Sequence, residues 1–152
     1  LDAIVATVTD REAQAEIIPR VQEYQWEPIP GTDGNAVIEE QKVGIQFMGF
    51  DATYHLRQRS ELIDDRDGTP RQAVLHYEMV ESLDNKLASS EGVYLFQEVE
   101  QDGQLYTYIR QQNVTGIQDT FFGLKTILRR FSRRDTEKLF NAILEAARKR
   151  PG

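Results

Sequence analysis

The sequence predicts an α+β fold: a curved antiparallel β-sheet wrapped around a long C-terminal α-helix, with two short helices ahead of the sheet. Three observations predict it. Six runs of alternating apolar residues follow one another with short polar turns between them, so neighbouring strands must run antiparallel. From Asp119 to Arg150 the apolar residues recur at helical spacing instead. Ahead of the first strand, two short helical runs end at Pro19.

The first helix runs from Asp2 through Ala3, Ile4, Val5 and Val8. Asp10 is placed to cap a second, from Arg11 to Ile18, which Pro19 stops. From Val21 the period changes to two, and Val21 to Pro28 is the first strand. Pro30-Gly31-Thr32-Asp33-Gly34-Asn35 is a concentrated turn signal. Ala36 to Met48 forms the second strand, with Val43, Ile45 and Phe47 on one face, and Gly49 separates it from the third, Asp51 to Ile63. A polar turn over 64–70 leads to Gln72–Val80, and Leu83 to Lys86 leads on to Ser89–Glu100. Asp102-Gly103 then joins that strand to Leu105–Thr115 as a hairpin. In the closing helix Ser132 and Asp135 form a capping pair, so a kink or restart is expected there.

The 152 residues, 39% hydrophobic and 28% charged, suit a single domain over 1–152 with an adequate core. There are no cysteines, which excludes disulfides, thiolate catalysis and thiolate metal sites but leaves the compartment open. A cytoplasmic location is the first expectation, with export as the alternative given that the sequence starts at Leu1 and not Met. The net charge of −7 argues against nucleic-acid binding. Charge is uneven: residues 1–120 hold 9 bases and 22 acids, whereas 121–152 hold 9 bases and 3 acids. Arg129, Arg130, Arg133 and Arg134 make the one compact basic patch, a candidate contact for an anionic membrane surface.

No catalytic or metal motif stands out. His55 and His76 lie on separate strands without a third ligand, so neither metal nor cofactor is expected. Gly31 and Gly34 lie between strands, not ahead of a helix, so they do not make a phosphate loop. Arg57, Arg59 and Arg110 are strand residues that face either a cavity or solvent. Arg57 shares parity with His55 and Arg59, which turns Tyr54 and Leu56 the other way, toward the interior. Strands apolar on both faces make a homodimer a further expectation.

Certain stretches resemble a known superfamily. Val8-Thr9-Asp10-Arg11-Glu12-Ala13 through Ile18-Pro19-Arg20-Val21 is similar to its opening. Tyr77-Glu78-Met79-Val80-Glu81 through Ser90-Glu91-Gly92-Val93-Tyr94-Leu95-Phe96 is similar to its central strands, and Leu128 through Leu139 to the basic approach to its closing helix. The chain thus resembles the START-like, or SRPBCC, helix-grip superfamily, in particular its polyketide cyclase/dehydrase and lipid-transport branch. Members begin with a strand before the first short helix, and no room for one exists ahead of Asp2. Truncation or processing is the expected reason.

One helix covers a strip about 10 Å wide, narrower than six strands at about 4.8 Å spacing. The sheet must curl, and the space beneath is filled by side chains or by a ligand. Binding or transport of a hydrophobic small molecule, whether lipid, isoprenoid or polyketide-like, is therefore the expected function. A cyclase or dehydratase using the same space, and a regulatory module with the space closed, are the alternatives. The expected cavity residues in the strands are Trp26, Phe47, Tyr54, Leu56 and Arg57, with Tyr77, Tyr94, Phe96 and Tyr108 further along. Phe122 and Phe131 are the contributions expected from the closing segment.

Overall fold

The computed structural model describes residues 1–47, 50–66, 71–118 and 124–150, and their side chains except those of 45–47, 50–52 and 124–135. Helices α1 (Asp2–Val8) and α2 (Gln14–Ile17) come first. The apolar spacing of α1 buries Ile4, Val5 and Val8. Asp10 does cap a turn, but an isolated one: its Oδ1 accepts from the Ala13 N–H at 3.2 Å. Helix α2 therefore starts at Gln14, later than the sequence suggests. Gln14 is itself buried, and its Nε2 donates to the carbonyls of Val8 at 3.0 Å and Asp10 at 3.2 Å. The bond to Val8 satisfies a carbonyl at the end of α1, where no further helical N–H follows, and the bond to Asp10 adds to the one its carbonyl accepts from the Ala13 N–H.

The sheet contains β1 (Val21–Pro28), β2 (Ala36–Phe47), β3 (Phe50–Asp65), β4 (Gln72–Ser82), β5 (Leu87–Gln101) and β6 (Gln104–Ile117). All neighbours are antiparallel and the spatial order is the chain order. Asp64 and Asp65 belong to β3 and not to the turn, because they pair with Ala73 and Gln72. In the β5–β6 hairpin, Asp102 and Gly103 have φ of 53° and 74°. Two consecutive positive φ values make the turn whose twist matches the strands, and Asp-Gly adopts it at low cost.

Helix α3 runs from Leu124 to Lys149 without interruption. The restart expected near Ser132 does not occur: no Gly or Pro stands within the helix, so continued backbone bonding outcompetes a side-chain cap. The C-terminal part of α3 lies on the concave face of the sheet beside α1. Ile143 and Ala147 of α3 join Ile4, Val5 and Val8 of α1 on Ala73, Leu75 and Phe96. An ion pair between Arg150 and Asp10 ties the end of α3 to the α1–α2 junction. This cluster fills one end of the concave face and leaves the other end to be accounted for. No described helix is long and apolar enough to cross a membrane.

Candidate functional site

A cavity of about 320 Å³ lies between the concave face, the α2–β1 connection and α3. Strand alternation selects its walls. On β2 the inward residues are Glu39, Gln41 and Val43; on β3 they are Tyr54, Leu56, Gln58 and Ser60. The antiparallel register aligns them into rows. Ser60, Tyr77, Gly92 and Asn113 face one another across four strands, and Leu62, Leu75, Tyr94 and Gln111 form the next row. From α3, Leu139 and Ile143 complete the apolar wall.

The aromatic side is built by Tyr77 and Tyr94, with Phe96 behind them in the core. The Tyr77 and Tyr94 rings are tilted at 5.8 Å, and Tyr94 stacks on Phe96 at 6.2 Å. Gly92 stands opposite Tyr77. A Cβ there would sit 2.5 Å from Tyr77 Cζ and 2.8 Å from the Gln112 carbonyl oxygen, so only glycine lets that ring lie down. Gln111 Nε2 donates to the Tyr94 hydroxyl at 2.8 Å. Burial raises the pKa of both phenols, that of Tyr94 strongly and with Tyr77 adding to the rise. They are neutral hydroxyls at physiological pH.

The polar end is built around Glu39, which is 3% exposed. Arg11 from the α1–α2 junction forms an ion pair with its Oε1, to which the Tyr24 hydroxyl donates at 2.7 Å. Its Oε2 accepts from Ser60 at 2.6 Å, Gln58 at 2.7 Å and Gln41 at 3.3 Å. The register explains this gathering: Gln58 lies directly across from Glu39, and Ser60 and Gln41 stand two residues along on the same face. Tyr24 is held neutral too, first by burial and then by the Glu39 charge. An ionised side chain this deeply buried requires a partner, and Arg11 supplies it.

Several expected cavity residues do line it: Tyr54, Leu56, Tyr77 and Tyr94. Others do not. Arg57 faces outward, in an ion pair with Glu27, because it alternates with Leu56. Arg59 likewise pairs with Glu61 at 2.9 Å. Trp26 sits on the edge strand directly across from Glu39, 40% exposed, and does not line the cavity. Tyr108 is 51% exposed, opposite in parity to Ile109, which packs against the core. Phe96 faces inward but is completely enclosed beneath Tyr94 as part of the core. The side chains of Phe47, Phe131, Arg129, Arg130, Arg133 and Arg134, and the whole of Phe122, lie outside the described residues.

Sequence reasoning missed Arg11 and Glu39. A signal existed for the second. Continuing the inward parity of Val43 backward along β2 reaches Gln41 and Glu39, and a carboxylate at an inward strand position needs a buried partner. Nothing local marks Arg11, whose partner is 28 residues away. Among the described residues no group of three or more His, Cys, Asp or Glu is arranged to hold a metal.

Neither a family model nor a curated protein matches this sequence. Solved structures do. TTHA0849 from Thermus thermophilus superposes with a TM-score of 0.66 at 12% identity, over 96% of this chain and 88% of that one. A fragment of a STAR-related lipid transfer protein from Xanthomonas axonopodis gives 0.68 at 11% identity, over 97% and 79%. The chain has the START-like, helix-grip fold. Ara h 8.0201 shares it at a TM-score of 0.50 and 13% identity, over 97% of this chain and 88% of that one. In this helix-grip chain the C-terminal part of α3 closes one end of the concave face over the core, and the cavity lined by the described residues lies beside it.

Proposed function

We propose that the protein binds a hydrophobic small molecule, of lipid, isoprenoid or polyketide-like size, between its sheet and α3. The observation that carries this reading is the unfilled volume of about 320 Å³ walled by Leu56, Leu75, Leu87, Leu139 and Ile143. That volume falls within the range of small-molecule sites. Burying about 200 Å² of apolar ligand surface there contributes about 5 kcal/mol, enough for a weak but real complex before polar contacts are added. The likeness in fold to a STAR-related lipid transfer protein supports the same class of cargo.

A cyclase or dehydratase in the same cavity is less well supported. The one carboxylate among its described lining residues is already engaged by five donors, and the buried tyrosines hold their protons too firmly to act as bases at neutral pH. The site is suited to holding a molecule more than to moving a proton. Mass spectrometry of an organic extract from purified protein tests the reading, with Leu139→Trp as the comparison. Native protein is expected to release an apolar compound and the filled variant to release none. Equal release from both places the compound elsewhere and contradicts the proposal.

A further inference from the structure

We infer that the cavity selects apolar ligands whose polar group is uncharged, an alcohol above all, over carboxylate or phosphate amphiphiles, because Arg11 and Glu39 neutralise each other at its polar end. The inference rests on the reading of the cavity as an apolar binding site. Arg11 and Glu39 side chains are 10% and 4% exposed, so the pair is nearly out of water. There a ligand charge would find the opposite charge already taken. Placing a third, uncompensated charge beside a matched pair costs desolvation with little Coulombic return.

The remaining polar groups suit a hydroxyl. Gln41 and Gln58 each donate an amide N–H to Glu39, and an amide so committed keeps its carbonyl oxygen as an acceptor. Tyr77 and Tyr94 line the same cavity as neutral phenols that both donate and accept. Glu39, with five donors already placed, has little accepting capacity left for a cationic head group. Among the described residues two further cations line the cavity, Arg20 and Lys138. Lys138 is exposed on α3 and Arg20 is partly exposed, so water screens both far more than it screens Arg11.

The test is displacement of the neutral dye Nile red by decanol, decanoate and decylamine, at about pH 8 where the acid and amine are ionised. For native protein, decanol is expected to bind at least about tenfold more tightly than either ion. Glu39→Gln leaves Arg11 uncompensated and should move the preference toward decanoate by about tenfold or more; Arg11→Gln should move it toward decylamine. The double variant, with neither charge, should return to decanol, a reversal that a merely structural role for the pair does not produce. If one single variant does not fold, the native ratio and the other variant carry the test. Decanoate binding native protein as tightly as decanol overturns the inference alone, its head group then lying against Arg20 or Lys138. If neither Nile red nor any of the three compounds binds, the cavity reading fails with it.

Discussion

At the residue scale, the site depends on positions where one side chain decides what its neighbours do. Gly92 is the clearest. Any Cβ there meets the Tyr77 ring and a backbone carbonyl, and the carbonyl cannot move aside without disturbing the β5–β6 ladder. Gly92→Ala should therefore destabilise by about 1–3 kcal/mol and change the tyrosine near-ultraviolet signal, as the ring leaves the sheet surface. Denaturant unfolding with circular dichroism checks both; an unchanged spectrum and midpoint would show that the ring does not lie over Gly92. Residues differ in how far sequence revealed them. Tyr54 and Leu56 were legible because strand parity places them opposite His55 and Arg57, which carry charge or pair with it. Arg57 itself was a false candidate for the same reason. Arg11 was not legible, since its meaning comes only from a carboxylate on another element.

At the element scale, alternation and turn chemistry placed all six strands, and Asp102-Gly103 placed the hairpin. The ends were harder: β3 extends through Asp65 because its partners on β4 continue, which no property of Asp64 or Asp65 foretells. Helix α1 illustrates how a short element is held. Too short to be stable alone, it is anchored by its buried face and by Asp2, which meets Arg66 at 2.5 Å and Arg71 at 3.1 Å. The hydrogen bond from Arg66, with Arg71 in support, holds the Asp2 carboxyl below its usual range. A depressed pKa means that the pair stabilises the fold above the unfolded value near 3.8 and stops doing so as pH falls through the folded value. Both partners face solvent, so the effect is modest. Asp2→Asn should cost up to about 1 kcal/mol at neutral pH and progressively less as pH falls from the unfolded value through the folded one. Stability of the two proteins measured across that range checks it; a gap that persists at low pH would mean that Asp2 acts through packing, not charge.

At the scale of the whole molecule, the organising fact is a mismatch of widths. Six strands curl over one helix, α1 and the C-terminal part of α3 fill one end of the hollow, and the described residues beyond them line a cavity. The sequence made this arrangement legible, through strand count and a single closing amphipathic run, but not which side chains stop short of filling the space. That depends on side-chain reach: Phe96 lies wholly inside the core, whereas the smaller Ser60 and Ser90 leave room at the wall. The outer face also exposes apolar groups, including Ile63, Val80 and Val114, and these compete for any oily molecule. Methyl-resolved NMR with decanol added to native protein separates the two surfaces most directly. Shifts concentrated on Leu56, Leu75, Leu87, Leu139 and Ile143, with Ile63, Val80 and Val114 unmoved, are the predicted result. Shifts confined to those outer residues, with the cavity methyls silent, would contradict the account.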